Sequence, residues 1–254
     1  MARLRDKVAI VTGASSGIGR AAAIRFAAEG ARIVAVARGR EGLDRLAGEV
    51  VASGGEIAVL AGSVADEAVA EEAVAIARER FGGLDIAFNN AGALGEMGPA
   101  ATVSLAGWQD AIDVNLTGSF LCARHQVPAM MERGGGSILF TSSFVGHTVG
   151  FPGMAAYAAS KAGLIGLMQV LAAEYGPQKI RANVLIVGGT DTPMGRQVIS
   201  TPEMRAFVEG LYPLKRLAEP DEIAEAALFL ASDASSFVTG AALPVEGGVS
   251  INRT

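Results

Sequence analysis

The chain has 254 residues, half of them hydrophobic and 19% charged, enough to bury a sizeable core within one α/β domain spanning residues 1–254. Its 26 acidic and 21 basic residues leave a net charge of -5, which gives no basic excess for nucleic acid, and a single cysteine with two histidines provides neither an internal disulfide nor a zinc-ligand spacing, so no metal is expected. No stretch approaches the roughly 18 uninterrupted apolar residues of a membrane span, and the N-terminal apolar run is too short for a signal peptide, so the expectation is a cytoplasmic protein without a membrane partner.

In chain order, the first informative stretch is VAIVTGASSGIGR (8–20), which passes from an apolar strand through a glycine turn into a helix. Gly13, Gly17 and Gly19 stand in a G-x3-G-x-G spacing. Such glycines let the backbone approach a pyrophosphate beside the positive end of a helix, which makes Gly13, Ser15, Ser16, Gly17, Ile18 and Gly19 candidate cofactor contacts. The second strand, RIVAV (32–36), runs into AVARGRE, where Ala37 stands at the place of the acidic residue that would accept the ribose 2′-hydroxyl of NAD. Arg38 and Arg40 follow, and a guanidinium grips a 2′-phosphate through two hydrogen bonds, so NADP(H) is favoured over NAD(H).

Further short apolar runs recur at IAVL (57–60), DIAF (85–88), SILF (137–140), ANVLIV (182–187) and ALPV (242–245), with helix-spaced stretches between them. Fully apolar strands alternating with helices predict a parallel sheet covered on both faces: a doubly wound, Rossmann-like three-layer sandwich of about seven strands. Ligands of such sheets bind at the carboxyl ends of the strands. Residues 188–216, punctuated by Pro193, Pro202 and Pro213, read as a substrate loop or lid with short helices. The lone thiol, Cys122 in FLCAR, reads as buried.

Tyr157 and Lys161 lie four residues apart in MAAYAASKAG, so on a helix they share a face. A phenol at its usual pKa of about 10 is a poor acid-base group at neutral pH, and a neighbouring ammonium is expected to pull it down.

The segments TGASSGIG (12–19), NNAG (89–92), DVNLTG (113–118), TSS (141–143), YAASK (157–161) and FVTGAALPVEGG (237–248), in this order and spacing, resemble the short-chain dehydrogenase/reductase family along nearly the whole chain. The resemblance implies that Tyr157 is the proton donor or acceptor toward a carbonyl or alcohol, that Lys161 lowers its pKa and holds the nicotinamide ribose, and that Asn115 supports a water-linked proton path. Ser143 would polarise the substrate oxygen, with Ser142 as the fallback, because 14 positions separate Ser143 from Tyr157 where the family more often has 13. Asn90, Ala91 and Gly92 would lie along the cofactor, as would Gly188, Thr190 and Thr192. Ser63 stands where many members carry an aspartate beside the adenine, leaving that contact to Ser63 and the Val64 backbone, and Val187 replaces the usual proline.

The implied reaction is hydride transfer between an NADP(H) nicotinamide and the carbonyl or secondary alcohol of a largely apolar small molecule, in a homotetramer. Leu94, Val145, Phe151, Met154, Met194 and Phe207 would form the apolar wall. Two alternatives stand beside it. One is a 3-oxoacyl-[acyl-carrier-protein] reductase, for which Arg124 and Arg133 are the basic residues at hand. The other is a non-catalytic nucleotide-binding sensor or assembly subunit.

Overall fold

The computed structural model describes residues 2–252. Its frame is one sheet of seven parallel strands: β1 (Val8–Thr12), β2 (Arg32–Ala37), β3 (Ile57–Ala61), β4 (Ile86–Asn89), β5 (Gly136–Ser143), β6 (Ile180–Val187) and β7 (Ala242–Val245), in the order β3-β2-β1-β4-β5-β6-β7. The strands are apolar because both faces are covered. Val8 and Ile10 of β1 with Val34 and Val36 of β2 enter one core, and Ala9, Val11, Ile33 and Ala35 enter the other, as the two-residue repeat of a strand requires.

The first core is closed by α3 (Glu67–Phe81), α5 (Gly118–Arg133) and α6 (Ala155–Tyr175), and the second by α1 (Gly17–Ala28), α2 (Arg40–Ala52) and α9 (Pro220–Ala231). Phe26 of α1 and Phe88 of β4 are fully buried, their ring centroids 6.4 Å apart, and truncating either to alanine should cost about 3–5 kcal/mol. Asp85, just before β4, accepts a hydrogen bond from the Val8 amide at 2.9 Å and pairs with Arg133 at 3.2 Å, so the two central strands are fixed at their entry ends.

Strand order reverses between β1 and β4, and the crevice this opens above their carboxyl ends is where a ligand fits. A short helix α4 (Leu105–Ile112) runs into α5 through a π-helical turn, Asp113–Thr117. The extra backbone of that turn turns Asn115 inward at 0% exposure. After β6 come two short helices, α7 (Pro193–Val198) and α8 (Pro202–Leu211), begun by Thr192 and Thr201, whose side-chain oxygens accept from the Gly195 and Met204 amides. Among the described residues one helical stretch, Ala155–Gln178, is long and apolar enough to cross a membrane, yet it carries Lys161 and packs its buried residues, including Leu164 and Met168, into the first core.

Candidate active site

A cavity of about 520 Å³ opens above the carboxyl ends of β1, β4, β5 and β6. One end is formed by the glycine turn. Gly13 has φ +68°, which a side-chain-bearing residue rarely adopts, and a Cβ there would lie 2.9 Å from the Ala91 Cα. Gly19 does not line the cavity; a Cβ on it would stand 2.4 Å from the Gly13 carbonyl oxygen, so it allows α1 to start directly against the turn. Gly13, Ser15, Ser16, Gly17 and Ile18 do line it, with Arg38, Ser63, Val64, Asn90, Ala91, Gly92, Gly188, Thr190 and Thr192.

This end is held by a residue that the sequence did not single out. The Thr12 hydroxyl oxygen accepts from the Asn90 amide at 2.9 Å and the Ala91 amide at 3.0 Å, and the Thr12 carbonyl accepts from the Asn90 side chain at 3.2 Å. β1 and β4 are thereby clamped at the point where a dinucleotide would cross them. The two arginines separate. Arg38 lines the cavity and, among the described residues, makes no hydrogen bond or ion pair, whereas Arg40 is outside it and bound to Asp44 at 2.7 Å. Arg40 thus does not share the cavity with Arg38: one helical turn separates it from Asp44, and the i,i+4 pairing turns it along α2.

At the other end stand Ser143, Tyr157 and Lys161. The Ser143 hydroxyl accepts from the Val145 amide at 3.1 Å and acts on the Tyr157 phenol by favouring its ionised form. Ser142 is differently employed, donating to the Lys161 main-chain oxygen at 2.7 Å. The spacing of 14 is absorbed by a short loop in which Val145 bridges Val149. Lys161 is 3% exposed; its Nζ donates to the Thr141 carbonyl at 2.8 Å and lies 5.7 Å from the Tyr157 ring centroid.

The electrostatics differ from the expectation of a depressed phenol. Burial pushes Tyr157 above the ordinary tyrosine value, opposed by the Ser143 hydroxyl, and burial lowers Lys161 to about 8. Desolvation is the leading cause for both groups, and the ammonium is aimed at the Thr141 carbonyl oxygen. Burial likewise pushes the Cys122 thiol up to about 12, so it is inert at neutral pH.

Asn115 lies outside the cavity lining and its side chain is fully engaged. Nδ2 donates to the Ala93 carbonyl at 2.9 Å and to Ser160 Oγ at 2.8 Å, and Oδ1 accepts from the Ala93 amide at 2.7 Å. Ser160 in turn donates to the Tyr157 carbonyl at 2.7 Å. Asn115 therefore braces the loop after β4 against the helix that carries Tyr157 and Lys161.

The wall facing Tyr157 is apolar. Leu94, Val145, Phe151, Met154 and Met194 line it, but Phe207 does not: it is 66% exposed, and α8 presents Val208 instead, one residue further around the helix. Phe144, Ile199 and Tyr212 join the wall without having been singled out in the sequence. No cluster of three His, Cys, Asp or Glu side chains occurs among the described residues.

A sequence profile of the family described as enoyl-(acyl carrier protein) reductase matches residues 13–250. The chain is 43% identical over 253 residues, 98% of each chain, to 2,5-dichloro-2,5-cyclohexadiene-1,4-diol dehydrogenase of Sphingobium indicum. It is 38% identical over 245 residues, 96% of this chain and 95% of the relative, to cyclohexanol dehydrogenase of an Acinetobacter species. The crystal structure of a short-chain type dehydrogenase/reductase from Mycobacterium marinum superposes with a TM-score of 0.92 at 32% identity, covering 98% of this chain and 97% of the other.

Proposed function

The chain belongs to the short-chain dehydrogenase/reductase family, and from that premise we propose that it is an NADP(H)-dependent oxidoreductase acting on the carbonyl or secondary alcohol of a largely apolar, alicyclic small molecule. The observation that carries the reading is the convergence of Ser143, Tyr157 and buried Lys161 at the far end of a cavity that begins in a glycine turn. The turn, with the clamp from Thr12 and the unpaired Arg38, fits a dinucleotide carrying a 2′-phosphate. When bound, the nicotinamide supplies or accepts the hydride.

The protein's part is proton handling and positioning. Because burial holds the Tyr157 phenol protonated, it is a ready donor to a carbonyl oxygen during reduction. The Ser143 hydroxyl, which lines the same end of the cavity, is a second donor for the same oxygen, and two fixed donors stabilise the charge that builds there. Lys161 is mostly cationic at neutral pH and favours the phenolate left behind. In oxidation the same phenolate takes the proton of the alcohol. The apolar wall of Leu94, Val145, Phe151 and Met154 keeps water from the reacting carbon.

Residues 188–216 serve in this reading as the lid of a single dinucleotide-binding domain, 1–254. Apolar side chains left exposed on α4, α5 and α6, namely Leu105, Phe120, Met131 and Val170, favour a homotetramer, and the reading places it in the cytoplasm. Carrier-protein reduction is less favoured, because Arg124 is paired with Glu67 at 3.1 Å and Arg133 with Asp85 at 3.2 Å. A nucleotide sensor would have no use for the Ser143–Tyr157–Lys161 assembly.

Tyr157→Phe tests the reading. Steady-state reduction of cyclohexanone should fall by about 10²–10⁴ while NADPH binding persists, and an unimpaired variant would mean that another group delivers the proton.

A further inference from the structure

The lid differs from the rest of the molecule in how it is held: α7 and α8 contain no buried residue. Hydrophobic burial contributes less to their placement than to that of the helices packed on the sheet: Val208 and Leu211 of α8, and Ile199 just after α7, touch the first core but are only partly buried. One carboxylate bonds to both of them. Asp191 Oδ1 accepts from Arg196 Nε of α7 at 2.7 Å, and Oδ2 accepts from an Arg205 terminal nitrogen of α8 at 3.1 Å. Arg205 also binds Glu209 at 2.8 Å. The Asp191 side chain is 16% exposed against 68% and 45% for the two arginines, so the anion sits inside the cluster and the cations on its rim. Both guanidiniums hold its carboxyl below the usual aspartate range.

The main chain of Asp191 ties this cluster to the site. Its amide donates to the Ala218 carbonyl at 2.9 Å, and the Ala218 amide donates to the Gly189 carbonyl at 2.9 Å, which fastens the two ends of the lid together. Thr190 on one side of Asp191 lines the cavity. Thr192 on the other caps α7, and its methyl carbon would lie 3.0 Å from a Cβ at Gly17 in the glycine turn. Met194 and Val198 of α7, and Val208 of α8, which also packs partly against the first core, line the apolar wall beside this cluster.

We propose that Asp191 is the positioning residue of the substrate wall: by binding Arg196 and Arg205 together it holds α7 and α8 over the cavity mouth and sets the affinity for the apolar substrate. This rests on the reading of the cavity as an oxidoreductase site. Because exposed ion pairs are individually weak and screened by salt, the latch is one that opens and closes readily.

The test compares wild type, Asp191→Asn and the conservative Asp191→Glu, each as the full chain. Amide hydrogen exchange is followed over 193–211, and initial rates with cyclohexanone and NADPH are measured at low and high NaCl. In Asp191→Asn the amides of α7 and α8 should exchange about tenfold faster while those of β1 and β4 keep their rates. The KM for the ketone should rise about three- to tenfold with kcat little changed. The wild-type KM should climb toward that of Asp191→Asn as NaCl is raised, the Asn variant should show a flat salt response, and Asp191→Glu should restore part of the affinity. Unaltered exchange in the lid overturns the latch, and faster exchange with an unchanged KM overturns its role in substrate affinity. Should the wild type reduce no ketone, the functional reading falls, and the exchange experiment still decides whether Asp191 holds the lid.

Discussion

The two ends of the cavity are built by different physics. At the dinucleotide end, Gly13 and Gly19 bring backbone against backbone and the Thr12 oxygen clamps two buried strands. At the substrate end, two helices without a buried residue are gathered by an aspartate and two exposed arginines. In the proposed reading, the part common to every turnover is set in the core, where a displaced methylene is costly, and the part that chooses the substrate rests on weaker, adjustable contacts. Tyr157, Ser143 and Lys161 lie between the two and share the rigidity of the first, because Asn115 and Ser160 fix the helix that carries them.

The largest effect on that contrast should come from Lys161→Met. Removing the buried cation should cut turnover by about 10²–10³, as loss of one preorganised charge does elsewhere. The pH profile sharpens the point. With Lys161 lowered to about 8, ketone reduction should decline as pH rises through that value, and the inflection should vanish in Lys161→Met. A rate profile unchanged by the substitution would separate the lysine from the proton chemistry. Linkage runs the other way for stability. A base depressed in the folded state leaves the unfolded chain with more bound protons from about pH 8 up to the ordinary lysine range, so unfolding free energy should increase with pH over that window.

Asn115→Ala ranks next. It strands the Ala93 amide and carbonyl and frees Ser160, which should cost about 1–3 kcal/mol in urea unfolding and lower kcat with it. An unchanged midpoint would mean the π-helical turn holds without its side chain. Asp191→Asn should have the smallest effect of the three, confined to the lid and visible in KM, as the difference between the two ends demands.

Much of this was legible in the sequence because sheet strands covered on both faces must be apolar throughout. The runs at 32–36, 57–60 and 242–245 mark β2, β3 and β7 to within a residue. β5 ends on three polar residues, Thr141, Ser142 and Ser143, where TSS closes the strand SILFTSS, and all three are buried. The glycine turn and the Tyr157–Lys161 pair were visible as spacing. What spacing cannot carry is direction and burial. Neighbouring strand residues point oppositely, and the structure shows what a spacing of 14 left open between Ser143 and its fallback Ser142: Ser142 is engaged with the Lys161 carbonyl. A threonine ending a strand gives no sign that two amides will converge on its oxygen, which is why Thr12 was passed over. The upward displacement of Tyr157 was missed for the same reason: the i,i+4 rule states which groups are near, and the cost of desolvating them depends on everything packed around them.

The most direct test of the central claim is fluorescence titration of the purified protein with NADPH and with NADH, for the wild type and Arg38→Asp, followed by absorbance of the reduced nicotinamide with cyclohexanone. The account predicts that wild type binds NADPH more tightly than NADH by about tenfold or more, oxidises it on the ketone, and loses that preference when Arg38 becomes an aspartate. Equal or tighter binding of NADH by wild type, or a preference untouched in Arg38→Asp, would contradict it.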